Sequence, residues 1–72
     1  MIITQQEQIK VLKEVIKCNK RRIKSVKEAK KRNDGVQIYS HYTKSIIEPK
    51  DYIDMVEYYN KILKSIIITL GE

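Results

Sequence analysis

An unbroken apolar row restricts this chain most. Ile9, Leu12, Ile16, Ile23 and Val26, with Asn19 in the one polar place, follow one another at steps of three and four with no glycine or proline among them. That spacing traces a single stripe along an α-helix, in heptad a and d positions. Thr4 and Glu7 form a capping box at its start: the Thr4 hydroxyl can accept from an unpaired amide one turn on, and Glu7 can reach back. Asn33-Asp34-Gly35 ends it, because Asn and Gly tolerate the left-handed conformation that closes a helix, and Lys30, Lys31 and Arg32 suit its negative dipole end. A helix over about 5–32 is therefore predicted. Val11, Val15, Cys18 and Ala29 widen the apolar arc to roughly 160°, more than a two-stranded seam needs, so more than one neighbour should pack on it.

A second helix is expected over about 49–70. Pro49 suits a first helical turn, Asp51 and Asp54 favour the positive end, and Gly71 marks the finish. Its apolar positions, from Tyr52 through Val56, Tyr59, Leu63 and Ile66 to Leu70, again make a broad face. Residues 33–48 connect the two. Val36, Ile38, Ser40 and Tyr42 would share a strand face, whereas Ile38, Tyr42 and Ile46 would share a helical one. A single strand has no partner, so a short helix or ordered loop is expected.

The fold class that follows is all-α: one domain over 1–72, built as an antiparallel helical hairpin. Two arcs this wide cannot cover each other completely, and the remainder favours assembly as a dimeric helical bundle. Asn19 has two readings. It pairs with its symmetry mate and sets the register of the oligomer, or it sits at the wet edge of the seam.

Size points the same way. A chain of 72 residues buries only about 60% of its unfolded surface, and one cysteine with one histidine supplies neither a disulfide nor a zinc site. Self-association is the readiest remaining source of stability. Absence of disulfides fits a reducing compartment. The first residues lack the basic opening and apolar run of a secretory signal, and no stretch is apolar enough to span a bilayer, so a cytoplasmic protein is expected. Without Trp or Phe, helix 1 also suits a membrane surface poorly.

Charge is polarised. Residues 1–35 carry eleven Lys and Arg against four Asp and Glu, a net +7, while residues 36–72 carry four against five, a net −1. Lys10, Lys13, Lys17, Lys20, Lys24, Lys27 and Lys31 alternate steps of three and four, which on a helix makes one cationic line about 30 Å long. Such a line can neutralise successive phosphates, and Arg21 beside it can grip phosphate bidentately. In an antiparallel hairpin Asp51, Asp54 and Glu57 return beside Lys24, Lys27 and Lys31, so the half nearer the N-terminus is the more available. The candidate polyanion-binding residues are Lys10, Lys13, Lys17, Lys20, Arg21 and Lys24. Against them stands the plain alternative that the lysines are a solvated edge whose stems cover the seam.

Tyr39, His41, Tyr42 and Lys44 form a short aromatic and basic cluster suited to base stacking or partner contact, while Tyr52 and Tyr59 read as core rings. Catalysis is not expected. Cys18 falls on the apolar side of helix 1 as a small buried thiol, no second histidine completes a nucleophile and base, and no glycine motif cradles a phosphate. Glu48, Asp51, Asp54 and Glu57 rotate about 60° per step and do not converge on a metal. No cofactor or metal is expected. The sequence thus favours a small non-enzymatic binder of a polyanion, a nucleic acid before a nucleotide messenger. The alternative is a protein-binding inhibitor or regulator, of the compact kind that phages and mobile elements encode, engaging an acidic patch on a host protein.

Overall fold

A computed structural model of the chain describes residues 2–71; Met1 and Glu72, the two ends of the expected domain, lie outside them. The element order is α1 (Gln5–Arg32), β1 (Ile38–Ser40), β2 (Ser45–Ile47) and α2 (Pro49–Thr69). The two helices lie against each other as a hairpin, and the whole measures 46 × 22 × 21 Å.

Helix α1 begins as its sequence requires. Thr4 is extended, and its hydroxyl accepts from the Glu7 amide at 3.1 Å, satisfying one of the free donors of the first turn. Its end differs from the expectation. Neither Asn33 nor Gly35 takes the left-handed conformation: Asn33 is extended, with φ −153° and ψ 106°. The Asn33 amide donates to the Ala29 carbonyl, and its side-chain oxygen accepts from the Gly35 amide at 2.9 Å. An Asx turn therefore closes the helix, the local competition that Asn side chains offer the backbone. Helix α2 runs from Pro49 to Thr69 and is closed just beyond by Gly71, which has a φ of +107° and whose amide donates to the Ile68 carbonyl.

The seam of α1 is buried as its spacing demands. Ile16, Asn19, Ile23 and Val26 are buried, and Ile9, Leu12 and Ala29 are half-buried. Opposite them α2 contributes Tyr52, Val56, Asn60 and Ile67. Val56 is the most enclosed large side chain, at 1% exposed, in a cluster with Ile23, Val26 and Tyr52. Tyr52 is thus a core ring, while Tyr59 is half-buried.

The connection corrects the sequence reading. In place of the expected short helix or ordered loop it is an antiparallel β-hairpin, pairing Ile38 with Ile47, Tyr39 with Ile46 and Ser40 with Ser45. The missing partner of the first strand was Ser45-Ile46-Ile47, close enough in sequence for a four-residue loop. Alternation sorts its faces. Ile38 and Ile47 pack on the Ile23, Val26, Tyr52 and Val56 cluster, and Ser40 is wholly enclosed. Tyr39 and Ile46, on the other face, are exposed. In the loop, Lys44 takes a left-handed φ of 54°, and the Ser40 hydroxyl accepts from the Thr43 amide at 3.3 Å.

Asn19 does not sit at the wet edge of the seam. It is 4% exposed, and its side-chain amide donates to the Asn60 carbonyl oxygen at 2.8 Å. Its partner is on α2 of the same chain, so the polar pair sets the register of α1 against α2 inside one molecule. Cys18 also departs from expectation: it is exposed, as are Val11 and Val15. These three lie beyond the reach of α2, because one neighbouring helix covers only the central stripe of so wide an arc.

Candidate polyanion interface

Because α1 and α2 run antiparallel, the groove between them opens on two flanks, and these differ in chemistry. One flank is lysine-lined along its whole length. At the end formed by the start of α1 and the finish of α2, a trough is walled by Lys13, Lys17 and Lys20 of α1 and by Lys64 and the exposed Ile68 of α2, over a floor of Ile16 and Ile67. The next stretch adds Lys61 and one carboxylate, Glu57. Towards the hairpin end, Lys27, Lys30, Lys31 and Lys50 face Asp34 and Asp54. Among the described lining residues, lysines outnumber carboxylates in each stretch.

The side chains reach this arrangement through ordinary helix geometry. Lys13, Lys17 and Lys20 flank the buried seam positions Ile16, Asn19 and Ile23 on one side, so their stems lie along apolar surface and their ammonium groups stand at the rim. Lys61 and Lys64 do the same beside Asn60 and Ile67. Lys17 is within 3.7 Å of Glu14 on its own helix, an exposed i,i+3 pair. Coulombic attraction between such exposed groups is modest.

The lysine line is not a uniform surface. Lys13, Lys17 and Lys20 stand on the trough; Lys24 is exposed between Lys20 and Lys27 on the same side of α1. Lys10 instead lies with Glu7, Val11 and Glu14 around the outer side of the helix. Arg21 is exposed and lines none of the three lysine-lined stretches. Asp54 and Glu57 do share the groove with α1 lysines, yet among the described residues no carboxylate of Asp51, Asp54 or Glu57 comes within 4.0 Å of Lys24, Lys27 or Lys31. Lys61 and Lys64 were absent from the sequence-derived set. Their step of three beside Asn60 was a usable signal, but it acquires meaning only once the Asn19–Asn60 pair fixes which lysines of α1 they oppose.

The tyrosine cluster is divided between two surfaces. Tyr39 and His41 make an edge-on ring contact at 5.0 Å on the outward face of the β-hairpin. Tyr42 turns the other way and stacks obliquely on Tyr59 of α2, also at 5.0 Å. It lines a shallow recess with Val15, Cys18 and Arg22 on the flank opposite the lysines. Lys44, in the hairpin loop, is exposed and joins neither pair.

Among the described residues no group of three His, Cys, Asp or Glu side chains gathers at a distance that would hold a metal ion. Within the same residues no helix is long and apolar enough to cross a membrane. Compared with family models, curated proteins and solved structures, the chain matches none.

Proposed function

We propose that this is a small, non-enzymatic, self-associating protein that binds the backbone of a nucleic acid along the lysine-lined flank. The observation that carries the reading is the two-sided trough, in which Lys64 of α2 faces Lys13, Lys17 and Lys20 of α1 across an isoleucine floor. A solvated lysine edge needs only one helix. Here cations converge from two helices on a concave strip, where a strand of phosphates would meet ammonium groups on both sides. No polar pattern in the trough reads a base edge, so affinity without sequence preference is expected.

The test is binding to random-sequence duplex DNA, single-stranded DNA and RNA across a salt series. Wild-type affinity should fall steeply as salt rises, by about 0.9 log unit per log unit of salt for each phosphate neutralised on duplex DNA. The variant Lys17→Glu/Lys20→Glu/Lys64→Glu should lose binding at every salt concentration, and Lys10→Glu/Arg21→Glu should lose much less. Absence of binding at low salt, or equal losses in the two variants, would overturn the assignment.

A second reading rests on the outward face of the β-hairpin. There Tyr39 and Ile46 are cross-strand neighbours, 53% and 63% exposed, with His41 against the tyrosine ring. An aromatic and an aliphatic side chain displayed together suit a protein partner. A regulator using this face would lose its target on Tyr39→Ala/Ile46→Ala while keeping any nucleic-acid affinity.

A further inference from the structure

The flank opposite the lysines is uneven. Towards one end it is covered by the β-hairpin, which reaches as far as the stacked Tyr42 and Tyr59. Beyond them none of the described residues lies over it. Ile3, Val11, Val15, Ile62 and Ile66 are left 58, 62, 40, 41 and 41% exposed, and Ile3, Val11 and Ile66 line one continuous apolar trough with Leu12 and Leu70. We propose that this bare patch takes a second copy of the chain, two-fold related, and that the resulting dimer carries its lysine troughs on opposite outer faces and so links two polyanion segments.

Three observations select a second copy as the occupant. The first is area. The protein exposes 5820 Å², whereas a compact monomer of its 8.6 kDa exposes about 4,700 Å². Its radius of gyration is 14.7 Å, against about 11 Å for a compact domain of this length. The surplus exceeds the roughly 800 Å² that each partner of a standard interface covers.

The second is charge. Two copies of a +6 protein repel, and the lysine flank cannot meet itself. The bare flank carries both signs at its rim, with Glu7, Lys10 and Glu14 towards one end and Arg22 towards the other. When α1 packs antiparallel on its own copy, centred near residues 14 and 15, Glu7 comes opposite Arg22 of the partner subunit, and the two-fold axis repeats the pair. The third is shape. A step formed by the hairpin at one end and a bare strip at the other is self-complementary when a copy is turned end for end, which closes the assembly at two.

The linking part of this inference rests on the nucleic-acid reading above; the dimer does not. Sedimentation equilibrium of the wild-type chain should give twice the 8.6 kDa protomer mass at micromolar concentration, with association strengthened as salt rises. That is the opposite sign to nucleic-acid binding, because salt screens the repulsion between like-charged copies. Val15→Glu/Ile66→Glu, at exposed positions, should remain helical by circular dichroism and sediment as a monomer, while Lys20→Glu/Lys64→Glu should remain dimeric. A wild-type monomer at 100 µM, a dimer that survives Val15→Glu/Ile66→Glu, or growth beyond two copies would overturn the proposal.

Bridging is read with two short duplexes carrying a donor and an acceptor dye. Energy transfer should appear with the wild-type chain and vanish with Val15→Glu/Ile66→Glu, which still binds each duplex singly. A dimer that binds duplex without bringing two together would overturn the linking role. A dimer with no affinity for any nucleic acid would overturn the nucleic-acid reading and the linking with it, leaving the dimer interface established.

Discussion

Asn19 and Asn60 are the polar exception in an otherwise apolar seam, and their 2.8 Å hydrogen bond is buried. Removing one partner strands the other without water. Asn19→Ala should therefore cost about 1–3 kcal/mol in urea unfolding. Asn19→Leu/Asn60→Ala, which replaces both polar groups at similar total volume, should recover most or all of that loss. Register is the property it should surrender, visible as doubled or broadened amide resonances, since apolar pairs specify alignment less sharply than a buried polar pair. Lys44 makes the converse case. Its φ of 54° costs a side chain with a Cβ about 1 kcal/mol, so Lys44→Gly should raise stability by about 0.5–1 kcal/mol. Unchanged or lowered stability would mean that the lysine side chain contributes to the hairpin. The polar spacing of Asn19 was legible in the sequence; its partner was not, because Asn60 lies 41 residues away and nothing local distinguishes it.

At the scale of elements, the two helices and the β-hairpin differ in what holds them. Helix α1 is defined by local signals: the Thr4 cap, an uninterrupted stripe and basic residues in the last turn. The β-hairpin has only three residues in each strand and would not persist alone in water. It exists because Ile38 and Ile47 have somewhere to go, onto Val26, Tyr52 and Val56. Ile47→Ala should therefore detach the hairpin more than it unfolds the protein. Amide exchange should accelerate through residues 38–47, at a cost of about 1–2 kcal/mol, with the α1 amides near Ile23 keeping most of their protection. Equal loss of protection across both helices would instead make the hairpin an integral part of the cooperative core. This dependence on tertiary contact explains why Val36–Ile47 was ambiguous in sequence. Alternation suited one short strand and steps of four suited a helix, and only a packing surface decided between them.

For the whole molecule, the main consequence is two flanks of different chemistry. A polyanion and a second copy would occupy opposite sides, so the two associations should be separable by mutation and should respond to salt with opposite signs. The trough makes a quantitative prediction of its own. Lys64→Ala alone removes the α2 wall and should lower the salt slope of duplex binding by about one contact, the same as Lys17→Ala or Lys20→Ala. A far smaller effect from Lys64 would return the binding surface to α1 alone.

The sequence by itself determined the two helices, their limits, the seam from Ile9 to Val26 and the lysine edge beside it, because caps, helical periodicity and dipole preferences act over one or two turns. Only the tertiary structure decided the rest. It put Lys64 across from Lys17 and Lys20, enclosed Asn19 with Asn60, gave Ile38 its strand partner, and left Val11, Val15 and Cys18 outside. Each of these depends on which surface a distant segment covers, and packing area and register, which act across the whole chain, set that.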